Sequence, residues 1–303
     1  MSVRVAVVGS LMMDLVVRVP RLPVVGESLV ASDFQTFVGG KGGNQAIAAA
    51  RLGAGEVAMI GRVGADAFGD EIIGTLRRDG VDCTFVTCDP QGGTGVAVPL
   101  VFDDGRNSIA AIPRANMRMT AADVRAARDA IEVAGVLLVQ FEVAMEAVGE
   151  AVAIAHAVGV PILLNPAPVA AAPDGLLSKV AWLVPNEVEA AALAGAGNDP
   201  HAHAEQLRAL GAERVVVTLG EKGALILDRG GATAVEAFPV QAIDSVGAGD
   251  AFCGALGVGL AEGMALHKAV RFASAAGAIS VTRAGASPSL PARTEVEALL
   301  TRR

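Results

Sequence analysis

The segment Asp244-Ser245-Val246-Gly247-Ala248-Gly249-Asp250 runs small residues and glycines into a carboxylate at the start of a helix-like stretch, Ala251-Phe252-Cys253-Gly254-Ala255-Leu256. A helix that begins on glycines offers unpaired backbone N–H groups and the positive end of its dipole, which suits an anion such as phosphate. A carboxylate there would repel that anion. It becomes useful if it takes a proton from a hydroxyl while the helix end steadies a phosphoryl group in transit. A Gly-rich turn with an acidic first helical turn accounts for the same residues, so the other constellations decide.

A second glycine-rich stretch, Val38-Gly39-Gly40-Lys41-Gly42-Gly43-Asn44-Gln45, also feeds a helix. It fails the GxxxxGK[ST] phosphate-loop pattern, because Gly42 follows Lys41 where a hydroxyl residue is required. Glycines let a backbone approach a ligand, and Lys41 and Asn44 can donate to hydroxyls. Asp14 follows the first strand-like run, where ligands bind in open α/β sheets, and a carboxylate there can grip a sugar diol. Glu142, Asn186, Glu189 and Gly220 fall at strand ends too. Asn186 and Glu189, three apart on one helix face, could hold a hydrated Mg²⁺, although an ordinary N-cap with an acidic first turn fits nearly as well.

The elements that must position these residues alternate along the chain. Strand-like runs are expected at Val3–Val8, Val57–Ile60, Gly135–Val139, Pro161–Leu164, Trp182–Pro185 and Arg214–Thr218. Helices are expected at Asn44–Leu52, Phe68–Asp79, Ala144–Val158, Asn186–Ala194 and from near Gly249, Leu266 and Thr294. That order predicts an α/β fold with a mainly parallel sheet covered by helices on both faces. Two stretches break the order with period-two patterns and no helix between them: Leu15–Pro20 with Asp33–Val38, and Thr94–Phe102 with Asn107–Ile112. Asp103-Asp104-Gly105-Arg106 supplies a hairpin signal for the second pair. Together they predict a small sheet that covers a cleft, a partner subunit, or both.

Composition narrows the function. Of 303 residues, 52% are hydrophobic, and 36 glycines with a 3% aromatic share fit a core of Ala, Val and Leu. The net charge of −8, with no basic cluster, argues against a nucleic-acid partner. Cys83, Cys88 and Cys253 have no CxxC spacing and read as reduced thiols of a cytoplasmic protein. With His201 and His203 in a polar loop, a His-based metal site is not expected. No uncharged apolar run reaches membrane-spanning length, which predicts a soluble protein with no membrane partner.

Taken in order along the chain, Gly9-Ser10…Asp14, Gly39–Gln45, Leu164-Asn165-Pro166-Ala167-Pro168, Pro185-Asn186-Glu187 and Asp244–Asp250 resemble the ribokinase-type (PfkB-type) sugar kinases over the whole length. The resemblance implies one kinase domain over residues 1–303, with lid strands inserted at about 15–38 and 94–112, and a homodimer formed through that β lid. It implies ATP-dependent phosphorylation of a pentose at its 5-hydroxyl, with Asp250 as general base and Gly247, Ala248 and Gly249 as the anion hole. Asp14, Gly40, Lys41, Asn44 and Glu142 would hold the sugar. Thr218, Gly220, Asn186 and Gly249 would lie along ATP, and Asn186 and Glu189 would organise Mg²⁺ through water. Asp244, Val246, Ser280, Arg283, Gly285 and Ser289 match the family's activating K⁺ site.

Met12 departs from the pattern, since ribokinases have Asn two positions before the Asp, bonding a ribose hydroxyl. Met offers no donor, so a ribose hydroxyl buried against it loses a partner, at about 1–3 kcal/mol. The sugar therefore stays open between D-ribose and 2-deoxy-D-ribose, with nucleosides and hexoses as further rivals. Arg114, where the family usually has Gly, and Ser274, at an adenine-edge position, are lesser departures. A dinucleotide oxidoreductase is disfavoured because Gly9-Ser10-Leu11 stands where GxGxxG is needed.

Overall fold

The computed structural model describes residues 3–103, 107–195, 197 and 199–301. The apolar run Val5–Val8 forms the buried strand β1 (Arg4–Val8), and β2 (Met12–Val19) and β3 (Asp33–Gly39) follow without an intervening helix. Then come α1 (Lys41–Arg51), β4 (Glu56–Gly64), α2 (Ala67–Arg78), β5 (Val81–Asp89), β6 (Gly95–Phe102) and β7 (Asn107–Ile112). The middle of the chain supplies α3 (Ala121–Ala126), α4 (Arg128–Glu132), β8 (Val136–Gln140), α5 (Met145–Val158), β9 (Ile162–Asn165), β10 (Trp182–Leu183), α6 (Glu187–Ala194) and α7 (Pro200–Ala209). The last third supplies β11 (Arg214–Thr218), β12 (Ala224–Asp228), β13 (Gly231–Val235), α8 (Ala248–Ala261), α9 (Leu266–Ser280) and α10 (Arg293–Thr301).

Among the described residues nine strands make the main sheet, in the order β13-β12-β11-β10-β9-β8-β1-β4-β5. Its pairings are parallel from β5 to β11, and the β11–β12–β13 edge is antiparallel. Alternate residues feed two cores. Val5, Val7, Val136 and Leu138 pack with α1, α8 and α9, while Ala6, Val8, Leu137 and Val139 pack with α3, α4 and α5. Burial on both faces explains why these strands read as continuous apolar runs. The expected α/β class with helices on both faces is therefore what the chain adopts.

The two helix-free stretches form a separate sheet, β3-β2-β6-β7, with β2 and β6 parallel at its centre. Of the turn expected at Asp103-Asp104-Gly105-Arg106, the last three residues lie outside the described residues, as do Ala196 and Asn198.

Several expectations shift. His201 and His203 lie in α7, not in a loop: Asp199 caps it, Pro200 opens it, and His203, Ala204 and Leu207 are buried. Asp14 belongs to β2 of the small sheet, near its root, and not to a loop after β1. Helix α1 starts at Lys41, three residues earlier than the apolar pattern begins, because Gly40 acts as its N-cap. Strand β5 and the hairpin β12–β13 were not expected. No helix among the described residues is long and apolar enough to cross a membrane.

Candidate active site

Helix α8 leaves its N-cap, Gly247, in the left-handed region (φ 80°), a conformation that glycine tolerates and that turns the chain sharply into the helix. The Ala248 N–H donates to the Ser245 carbonyl at 3.3 Å. The N–H groups of Gly247, Gly249 and Asp250 have no acceptor among the described residues, as the first turn of a helix dictates. Asp250 is buried within that turn. Both of its oxygens are held from α1, by Asn44 Nδ2 at 2.9 Å on Oδ2 and by Gln45 Nε2 at 3.1 Å on Oδ1. The Asn44 Oδ1 is buried and unpartnered.

Two further carboxyls and an ammonium lie close enough to Asp250 to feel its charge. Glu142, just past β8, accepts from Ser10 Oγ and from the Lys41 backbone N–H at 3.0 Å. Burial raises the pKa of Glu142 against the lowering pull of Lys41. Asp14 is buried without a hydrogen-bond partner among the described residues. Burial first, and then the charges of Glu142 and Asp250, push its carboxyl up to about 7. The carboxylate lies over Gly39, the residue that pairs with Met12 across β2–β3, and a Cβ at Gly39 would collide with it. Burial acts to lower the pKa of Lys41, but the surrounding acids, Asp250 and Glu142 foremost, raise it on balance. The chain thus spends burial energy to keep three acids and one base within reach of one another's charge, an arrangement characteristic of binding sites.

Met12 shares a face of β2 with Asp14, because Met13 between them is fully buried in the opposite core. Met12 is itself buried.

Beside the N-terminus of α8 opens a cleft of about 1110 Å³ lined by Asn186, Thr218, Gly220, Gly249, Phe252 and Ser274, among others. Five of these, all but Phe252, were expected along ATP or its base. Asn186 and Glu189 form a capping box on α6: Glu189 N donates to Asn186 Oδ1 at 2.8 Å, and Asn186 N donates to Glu189 Oε2 at 2.9 Å. Both were expected at Mg²⁺; Asn186 Nδ2 also donates to Glu189 Oε1 at 2.9 Å, so each carboxylate oxygen already accepts one bond and keeps one lone pair. The field of Glu189 reaches Lys41 and Cys253. Among the described residues no three His, Cys, Asp or Glu side chains cluster as a metal site.

The segment that precedes α8 is tied to the loop after α9. Asp244 accepts from Val246 N at 3.0 Å and from Gly285 N at 2.9 Å. Ser280 and Ser289 are fully buried, with their hydroxyls 2.7 Å apart, and the Ser280 carbonyl accepts from Arg283 N. A Cβ on Gly247 would stand 3.3 Å from Ala286 Cα, so this loop packs directly against the turn that opens α8. The six residues expected at a monovalent cation are accordingly near one another, while the Arg283 guanidinium turns away to Glu295.

Three participants were given no role from sequence. Ser10 donates to Glu142, Gln45 bonds Asp250, and Gln140 donates to Gln45 Oε1 at 2.7 Å. An amide ending an otherwise apolar strand was the available signal for Gln140.

The model for pfkB family carbohydrate kinases matches residues 3–293. The ribokinase of Schizosaccharomyces pombe is 39% identical, with 97% of each chain covered. The deoxyribokinase of Salmonella typhi is 38% identical, with 95% of each covered. Among solved structures, Arabidopsis thaliana ribokinase complexed with ribose and ATP superposes with a TM-score of 0.91 at 33% identity, both chains covered completely.

Proposed function

The chain belongs to the pfkB family of carbohydrate kinases and is a sugar kinase, and we propose that it transfers the γ-phosphoryl group of ATP to the 5-hydroxyl of D-ribose. The observation that carries this reading is Asp250, buried in the first turn of α8 with both carboxylate oxygens oriented by α1 amides, beside N–H donors that have no protein acceptor. A carboxylate so held takes the proton of the attacking hydroxyl, while the free N–H groups of Gly247 and Gly249 stabilise charge on the γ-phosphoryl group, joined by Ala248 once its N–H leaves the long bond to Ser245. The work is positioning and electrostatics, as phosphoryl transfer requires.

Asp14, Gly40, Lys41, Asn44 and Glu142 hold the sugar. The unpartnered Oδ1 of Asn44 is an acceptor for one hydroxyl and Asp14 accepts from two more. ATP lies in the cleft along Asn186, Thr218, Gly220 and Gly249, the nucleotide being the one named in the Arabidopsis complex. Glu189 and Asn186, one carboxylate and one amide, would hold a hydrated Mg²⁺. Asp244, Val246, Ser280, Arg283, Gly285 and Ser289 would hold K⁺ in an oxygen-rich loop that packs on Gly247, where it would supply positive charge beside the anion hole. Bound there, each cation supplies positive charge against developing phosphoryl charge.

The 303 residues act as one kinase domain, with the small sheet at 15–38 and 94–112 as its lid. Phe34, Ile109 and Ile112 are exposed apolar side chains on that sheet, which supports a homodimer through the lid. Three unpaired cysteines fit a cytoplasmic protein, and the acidic charge fits small-molecule partners and no nucleic acid.

A second reading, 2-deoxy-D-ribose, rests on Met12, which is buried on the face of β2 that carries Asp14 and gives a 2-hydroxyl no donor. The base assignment is tested by Asp250→Asn. It should retain the fold and lose about 10³-fold or more in kcat. A variant within about tenfold of wild type would remove Asp250 from the reaction.

A further inference from the structure

A carboxylate only accepts hydrogen bonds, so Gln45 must turn its NH₂ toward Asp250 and its Oε1 away. Oε1 then needs a donor, and Gln140 Nε2 supplies it at 2.7 Å. That fixes the Gln140 amide in turn, leaving its own Oε1 buried without a partner beside Gly9. A Cβ at Gly9 would collide with that oxygen, so the bare backbone at the end of β1 makes room for this amide. Gln45 and Gln140 are both fully buried. An orphaned acceptor at the far end of a buried chain costs stability, which is the mark of a network kept for what stands at its other end.

We propose that Gln45 and Gln140 form a polarised amide relay that fixes the rotation of the Asp250 carboxylate, which makes both of them positioning residues for phosphoryl transfer. The inference rests on Asp250 being the base. Asn44 holds Oδ2 and the relay holds Oδ1, so the carboxylate cannot rotate about its χ2 without breaking a buried bond. Its remaining lone pairs are left for the sugar hydroxyl, and the charges of Asp14, Glu142 and Lys41 lie within reach of it. Cys253, one turn further along α8, is buried and its thiol pKa is raised, so it brings no competing charge. Glu189 reaches the group from α6 only through its field on Lys41 and Cys253.

The relay predicts a particular pattern of non-additivity. Gln45→Met should lower kcat by about 10- to 100-fold with KM for sugar and ATP within about twofold, because a bond to a charged group is lost while the pocket is untouched. Gln140→Met should lower kcat by a smaller factor, about three- to tenfold, since Gln45 can still donate but is free to flip. The double variant should match Gln45→Met alone, because Gln140 acts only through Gln45. Additive losses, or losses that appear in KM and not in kcat, would overturn the relay. If Gln45→Met does not fold, Gln45→Glu keeps the size, donates to Asp250 only while protonated and sets charge against charge once ionised. Its kcat should therefore fall with rising pH relative to wild type, and a kcat–pH profile parallel to wild type would equally overturn the relay. Asp250→Asn is measured alongside: an active Asp250→Asn refutes the base, whereas an inactive one with fully active Gln45 and Gln140 variants refutes the relay alone.

Discussion

Asp14 is held in a state that stability alone would not choose, and removing its charge should make the protein more stable and less active. Burial and the neighbouring Glu142 and Asp250 charges raise its carboxyl to about 7 from 3.8. At about 1.36 kcal/mol per unit, that shift corresponds to about 4 kcal/mol. The folded value lies above the unfolded one, so the contribution is present in full below about pH 4, declines as pH rises and is lost above about pH 7. Asp14→Asn has no ionisation to lose. Against wild type it should gain about 2 kcal/mol near pH 5 and about 4 kcal/mol near pH 8, without sugar present. For a chain of this length the unfolding entropy converts those gains to about 3 °C and about 6 °C in Tm. Calorimetric or fluorescence melting at the two pH values reads the difference directly. The same variant should lose about 100-fold or more in kcat/KM for sugar, as two charge-assisted hydroxyl contacts go. A gain in Tm that does not grow with pH, or no gain near pH 8, would refute the account of Asp14 as a buried, strained carboxylate.

The same titration makes kcat/KM for sugar rise with pH through about pH 7, as Asp14 becomes a pure acceptor, and a profile flat between about pH 6 and pH 8 would contradict it. Met12→Asn should shift the ratio of kcat/KM toward ribose over 2-deoxyribose by about 5- to 150-fold, and an unchanged ratio would place the side chain outside the sugar pocket. Replacing K⁺ with Na⁺ or Li⁺ should lower kcat, since a smaller ion fits the Asp244–Ser289 loop less well and leaves Gly247 less ordered. Indifference to the ion would remove that site.

Much of this architecture could be read from periodicity. Continuous apolar runs gave β1, β8, β9 and β11, because strands buried on both faces need them. Period-two patterns gave the small sheet. Strand β5 escaped because Asp82, Thr84 and Thr87 interrupt its apolar run at the sheet edge. Helix α7 escaped because its polar composition hides a face carried only by His203, Ala204 and Leu207. The candidate site was legible where the proposed chemistry dictates residue type, at Asp250, Asp14 and Lys41. Gln45 and Gln140 were not given roles, because nothing in spacing tells a buried amide that orients a base from one that fills a core. Contacts between residues 95 or 205 positions apart appear only in the folded chain.

The most direct measurement is phosphoryl transfer itself: purified protein with Mg-ATP and K⁺, D-ribose and 2-deoxy-D-ribose assayed side by side, and the product examined by phosphorus NMR. The account predicts ADP formed in step with a sugar phosphorylated at its 5-hydroxyl, for wild type and not for Asp250→Asn. No turnover with either pentose, or a phosphate carried at another hydroxyl, would contradict it.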